Sequence, residues 1–193
     1  MNYKKPKFWD KKTNSLFSIV LYPISIIYYF FFRIIKLKPP SSYKIPIICV
    51  GNLYLGGTGK TPLVKILCKI LEDFSKKPAV VKKQYNYLTD EINFLKNYVK
   101  IYASKNRKHC INNLIRDNHN VAILDDGFQD NSIKKDLNII CFNEKQWIGN
   151  GQMIPSGPLR EPLSSLSRSQ CVIINGKKNL QKENFLKQYN SSI

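Results

Sequence analysis

The chain begins with a long apolar run. Residues 13–32 carry no charge, and residues 16–32 are almost wholly aliphatic or aromatic, approaching the ~20 residues that a membrane-spanning helix needs. Pro23 lies inside this run and is expected to interrupt it. After Pro39-Pro40-Ser41-Ser42 the pattern changes to short apolar runs alternating with amphipathic stretches. Residues 45–50, ending at Gly51, predict a buried strand. From Lys60 onward, Leu63, Val64, Ile66, Leu67, Ile70 and Leu71 recur at helical spacing, and Pro62 is tolerated in the first turn. Strands are expected over 78–81, 99–103, 121–124, 137–142 and 170–174, and helices over 90–97 and 106–117.

Strand and helix in alternation predict an α/β fold, a mostly parallel sheet with flanking helices that binds ligands at the carboxyl ends of its strands. None of the nine glycines lies in residues 1–50, and every one falls in a predicted loop. That distribution suits backbone that turns sharply or approaches a ligand closely. The boundaries read as 1–44 for a basic, apolar membrane-associating segment, 45–175 for the core, and 176–193 for a tail or the start of a further portion.

Charge adds the question of partners. The net charge of +18, from 31 Lys and Arg against 13 Asp and Glu, allows anionic partners, although a Lys-, Asn- and Ile-rich composition also places charge on plain solvated surface. Nine basic residues and one acid, Asp10, lie in residues 1–44 and flank the apolar run on both sides. This arrangement fits a helix attached at an anionic membrane surface, with a true span or a helix packed on the domain as the other readings. No small-residue cleavage site follows the run, so a signal peptide is not expected. Nucleic acid is not an expected partner, because no recognisable binding module accompanies the charge. The five cysteines show no metal-ligand spacing and read as packed thiols of a reducing compartment. His109 and His119 are isolated and read as surface residues, and Trp9 and Trp147 as packing aromatics.

The chemistry concentrates in three stretches. Tyr54, Leu55, Gly56, Gly57, Thr58, Gly59, Lys60 and Thr61 join a predicted strand to a predicted helix, the context of a phosphate-binding loop. There, backbone N–H groups converge on phosphate oxygens, Lys60 reaches the β- and γ-phosphates, and Thr61 ligates Mg²⁺. The fold is therefore expected to be of the P-loop NTPase type, with a nucleoside triphosphate and Mg²⁺ bound at this loop. A strict P-loop pattern would place glycine where Tyr54 stands. Residues 121–124 run into Asp125 and Asp126, as expected of a strand end that holds the metal. The third stretch is the glycine- and proline-rich connection at 149–162, which carries Arg160 and Glu161; its bland reading is a surface loop with an exposed pair.

Lys5-Pro6-x-Phe8-Trp9, Val50-Gly51-Asn52 through Thr61-Pro62, Asp125-Asp126-Gly127-Phe128-Gln129, and Pro155-Ser156-Gly157-Pro158-Leu159-Arg160-Glu161-Pro162 together resemble the tetraacyldisaccharide 4'-kinase family. The resemblance covers residues 5–175. It implies an ATP- and Mg²⁺-dependent kinase acting on the 4'-hydroxyl of a lipid A disaccharide precursor at the cytosolic face of the bacterial inner membrane. It also implies Asp90 as the base, Lys60, Arg160 and Glu161 as further catalytic residues, and Arg107 and Gln129 near substrate or phosphate. The chain departs from the family pattern at Lys83-Gln84-Tyr85, where Arg-Gly-Tyr is usual, at Thr89 in place of glycine, and at Asp130 in place of histidine. The family extends beyond the length of this chain, so a chain lacking that C-terminal portion is expected. The alternatives are a membrane-associated P-loop ATPase switch, against which Leu55 speaks, and a nucleotide-binding unit without turnover.

Overall fold

The structure is a computed structural model and describes residues 5–10, 15–35, 38–84 and 98–192. Among the described residues, strands β1 (Ile47–Gly51), β2 (Pro78–Lys83), β3 (Ile101–Ser104), β4 (Val121–Asp125), β5 (Leu137–Asn143) and β6 (Cys171–Asn175) form one sheet. Its order is β3-β2-β4-β1-β5-β6 and every pairing is parallel. The expected α/β architecture is thus found. The helix expected over 90–97 lies outside the described residues.

The central strands read as continuous apolar runs because both their faces are covered. On one face, Cys49, Val81, Leu124 and Ile140 pack with Ile111 and Leu114 of α3 (Arg107–Arg116). On the other, Val50, Val80, Ile123 and Cys141 meet Val64 and Cys68 of α2 (Lys60–Asp73). Neighbouring residues alternate between the two faces with the period of a strand. All five cysteines are free thiols, and burial pushes Cys49 up to about 11 and Cys141 up to about 12.

Register decides where the loops emerge. Val50 pairs with Asp125 across β1 and β4, and Asp125 pairs with Lys82 across β4 and β2. The loop leaving β1 and the aspartates ending β4 therefore lie side by side at the carboxyl edge of the sheet.

Two elements flank this core. Residues 176–193, expected as a tail or the start of a further portion, include a helix, α4 (Leu180–Lys187), opened by Asn179, whose side chain accepts from Lys182 N at 3.1 Å. Leu186 of α4 is buried in the core and Phe185 packs edge-on against Trp147. The N-terminal apolar run is a single helix, α1 (Leu16–Ile35), that continues through Pro23. The expected interruption does not occur: a proline removes one backbone donor, and the rest of this 20-residue helix retains its own ladder.

Candidate functional site

The loop between β1 and α2 is held from below. Asn52 Nδ2 donates to the carbonyls of Tyr54 at 2.6 Å and Gly56 at 3.1 Å, which folds the chain back on itself. Gly59 adopts φ +83°, a left-handed conformation, and a Cβ there would lie 2.2 Å from Asn175 Nδ2. That amide in turn donates to Thr58 O at 2.5 Å, so the end of β6 latches the loop. Gly56 and Gly57 are exposed, and a Cβ on Gly57 would meet nothing within 4 Å. The hydroxyl Oγ1 of Thr58 is buried and has no partner among the described residues. An open glycine cradle with an orphaned hydroxyl at the head of a helix fits the phosphates of a nucleotide. Lys60 and Thr61, half-buried, begin α2 beside it.

Tyr54 has a different position from its neighbours. Its side chain is fully buried, and its hydroxyl donates to Asp10 Oδ1 at 3.0 Å and accepts from Lys5 at 3.0 Å. Its contribution to the loop is backbone and packing, with the ring edge against Gly56.

The two adjacent aspartates separate into two environments. Asp125 is buried and ion-paired at 2.8 Å with Lys82, itself buried. Asp126 adopts φ +58° and faces the loop, with Lys60 Nζ 3.6 Å from Oδ1 and Arg160 Nη1 3.0 Å from both carboxylate oxygens. Burial opposes its ionisation, but the charges of Lys60 and Arg160 outweigh burial and hold the carboxyl below the usual carboxylate range. The oxygens of Thr61 and Asp126 are hard donors of the kind Mg²⁺ takes, and the residues present fit that ion.

Arg107 is buried and holds this turn from behind: Nη2 donates to Asp126 O at 2.8 Å and Nη1 pairs with Asp130 at 3.1 Å. Asp130 is thus the partner of Arg107. Gln129 ties the turn to the phosphate loop, donating to Asn52 O at 2.9 Å and accepting from Arg160 at 3.4 Å. Arg160 and Glu161 are not an exposed pair. Arg160 turns to Asp126, while Glu161 is fully buried and ion-paired with Arg168, whose guanidinium lies 4.2 Å over the Phe128 ring. His109 and His119 carry only surface contacts, whereas Trp9 is buried and donates to Pro155 O at 3.0 Å. Asp90 lies outside the described residues.

Lys82, Asn175 and Arg168 belong to this site and were not expected from sequence. Each stands outside any recognisable motif and reaches the site across the sheet or from a distant loop. Lys82 carried one usable signal, a charge ending an otherwise apolar strand.

The connection containing Arg160 also carries α1. Ser18 Oγ donates to Ser156 O at 3.0 Å, Ser25 Oγ to Met153 O at 3.0 Å, and Tyr28 OH to Arg160 O at 3.2 Å. These residues share one stripe of the helix. The opposite side leaves Val20, Ile27, Phe31 and Ile34 at least 64% exposed. The helix therefore docks through its polar stripe and turns its apolar face outward, the reverse of a helix packed on a soluble core. Among the described residues it is the one helix long and apolar enough to cross a membrane.

A parallel sheet whose central strand feeds a Gly-Lys-Thr loop facing a strand-end aspartate defines a P-loop protein. The family model for LpxK, tetraacyldisaccharide-1-P 4'-kinase, matches residues 17–192, and the chain belongs to that family. The tetraacyldisaccharide 4'-kinase of Pelagibacter ubique (strain HTCC1062) is 46% identical over 177 residues, covering 91% of this chain and 56% of that protein. That of Rickettsia bellii (strain OSU 85-389) is 34% identical, covering 89% and 58% respectively. The chain thus spans somewhat more than half the length of the curated relatives it matches. The crystal structure of "apo" form LpxK from Aquifex aeolicus in complex with ATP superposes with a TM-score of 0.72 at 26% identity, over 82% of this chain and 59% of that one. The hydrogenase maturation factor HypB from Archaeoglobus fulgidus, 10% identical with a TM-score of 0.50, shares the fold alone.

Proposed function

We propose that this chain carries the nucleotide site of a lipid kinase that transfers the γ-phosphoryl group of ATP to the 4'-hydroxyl of a tetraacyldisaccharide 1-phosphate, a lipid A precursor. The observation that carries the reading is the convergence of Lys60 and Arg160 on Asp126 beside an open glycine cradle. Family membership supplies the substrate class.

In this reading, the amides of residues 56–61 and Lys60 bind the triphosphate, and Thr61 and Asp126 hold Mg²⁺, with Asp125 behind them in its pair with Lys82. Held there, the metal would neutralise charge on the triphosphate. Arg160 stands by for charge that develops on the transferring group. The bond from the γ-phosphorus to ADP breaks, a bond to the sugar oxygen forms, and the hydroxyl proton passes to the carboxylate of Asp90. Arg107 and Gln129 keep the 125–130 turn against the phosphate loop, beside the substrate. Residues 1–44 attach the protein to the cytosolic face of an anionic inner membrane through the outward face of α1, residues 45–175 form the kinase core, and α4 closes its edge.

The test is transfer of labelled phosphate from ATP to the disaccharide lipid. Product formation that is lost on Lys60→Ala and on Asp90→Ala supports the reading. Turnover unaffected by Asp90→Ala removes that residue's role, and ATP binding without product makes the chain a nucleotide-binding unit without turnover. Sedimentation with anionic vesicles, lost on deletion of residues 1–35, tests the attachment; a shortened protein that still sediments overturns it.

A further inference from the structure

Residues 5–10 reach the phosphate loop through Lys5 and Asp10, and nothing in the proposed attachment to a membrane requires them to. Lys5 Nζ lies 2.8 Å from Asp10 Oδ2, and both groups meet the Tyr54 hydroxyl at 3.0 Å. The Tyr54 ring is fully buried, and its Cε1 would stand 3.3 Å from a Cβ on Gly56, so its edge forms a wall of the loop. The same short segment, a 3₁₀ turn over Lys7–Asp10, is fixed to the connection that supports the loop from the other side. Trp9 Nε1 donates to Pro155 O at 3.0 Å, and Asn150 N donates to Trp9 O at 2.8 Å. That connection in turn bonds the loop itself, Leu55 N donating to Pro158 O at 2.8 Å and Arg160 N to Leu53 O at 2.7 Å.

We propose that residues 5–10 are a structural part of the nucleotide site and that Tyr54 is a positioning residue, its hydroxyl held by the Lys5–Asp10 pair so that its ring sets the conformation of Gly56. Tyr54 does not touch the nucleotide and acts through the loop. A buried tyrosine needs partners for its hydroxyl, and a hydroxyl that donates to Asp10 and accepts from Lys5 is anchored in place, which fixes where the ring lies. Gly56 has no side chain of its own to define the loop, so its conformation depends on the Tyr54 ring beside it. The apolar face of α1 has no part in this. ATP affinity in solution therefore depends on the Lys5–Asp10–Tyr54 contact and is indifferent to the lipid-facing residues.

This inference rests on the reading of residues 54–61 as an ATP site. It is tested on the full chain, without membranes, by titration with a fluorescent ATP analogue in the presence of Mg²⁺ and by thermal melting. Tyr54→Phe, which removes both hydrogen bonds of the hydroxyl, and Asp10→Ala, which removes one of them together with the Lys5 ion pair, are expected to weaken analogue binding roughly three- to tenfold and to shrink the ligand-induced rise in melting temperature. Lys5→Asp and Asp10→Lys are each expected to weaken binding, and the double variant, which restores an opposite-charge pair around the hydroxyl, to recover it. Val20→Ser and Ile27→Ser, on the exposed face of α1, are expected to leave affinity unchanged. Equal affinity of wild type and Tyr54→Phe overturns the inference, as does a double variant no better than the singles. Failure of the wild type to bind the analogue overturns the ATP-site reading instead, and the two failures are thus distinct.

Discussion

Arg160 Nη1 bridges the two carboxylate oxygens of Asp126 at 3.0 Å each, from a loop 34 residues further along the chain. One guanidinium nitrogen thereby holds a side chain whose backbone, at φ +58°, lies in a region that non-glycine residues seldom occupy. Because Lys60 approaches the same carboxylate, Arg160 and Lys60 share one anion until phosphate arrives. Arg160→Ala is expected to lower phosphoryl transfer about 10²-fold, and Arg160→Lys to recover only part of it, since an ammonium lacks the planar donor fork. Steady-state kinetics of both variants against wild type provide the measurement, and a lysine variant equal to wild type would show that charge alone suffices.

The Lys82–Asp125 pair is the most buried ion pair at the site, with the two side chains 4% and 1% exposed. Breaking such a pair leaves one charge without compensation in the interior. Lys82→Met is expected to destabilise the fold by about 3–5 kcal/mol, and Lys82→Met combined with Asp125→Leu to recover most of that loss while abolishing transfer. Urea unfolding of the single and double variants tests this. A single variant within about 0.5 kcal/mol of wild type would place Asp125 in water in solution.

Asp130 introduces a pH dependence. Burial raises its carboxyl, but the hydrogen bonds from Ser132 and the charge of Arg107 outweigh burial and hold it below the usual carboxylate value of 3.8. A group depressed in the folded state stabilises the fold above its unfolded value, and that contribution is lost as pH falls through the folded one. Wild type is therefore expected to lose stability as pH falls below 3.8, and Asp130→Asn to start about 1–2 kcal/mol lower at neutral pH and to vary less over the acid range. Parallel melting curves at neutral and acid pH decide the point; identical slopes for the two proteins would exclude it.

Ser18 and Ser25 are 2% and 3% exposed on a helix whose other side is open. Each serves as both donor and acceptor to the 150–156 connection. Replacing either by valine strands carbonyl and amide partners in a dry contact, at a cost of roughly 1–3 kcal/mol for each site. Ser18→Val with Ser25→Val is expected to release α1 and make residues 16–35 more susceptible to limited proteolysis, while nucleotide binding persists in part through the Tyr54 contact. A double variant as resistant to protease as wild type would show that the apolar contacts of Phe8 and Phe17 suffice to hold the helix.

Much of this protein is written locally along the chain. A phosphate loop needs glycines, a lysine and a hydroxyl in consecutive positions, and a buried parallel strand needs an unbroken apolar run, so residues 51–61 and the central strands could be recognised without any contact being known. Strand limits moved by only a few residues, as with 45–50 becoming Ile47–Gly51. The short helix after residue 179 gave no such signal, since it owes its place mainly to Leu186 and Phe185 meeting a core built by distant strands.

The division of labour between Asp125 and Asp126 could not be read from two identical neighbouring letters. It arises because the β2–β4 register puts Lys82 opposite the first, while a left-handed backbone turns the second toward Lys60 and Arg160. Composition identified α1 as apolar. Which side faces out was decided by three polar side chains finding partners at positions 153, 156 and 160, far along the chain. Patterns of residue type report what a segment can bury or bind within its own few turns. Which charge meets which, and which face of α1 is left exposed, depends on strands and loops brought together only when the chain has folded.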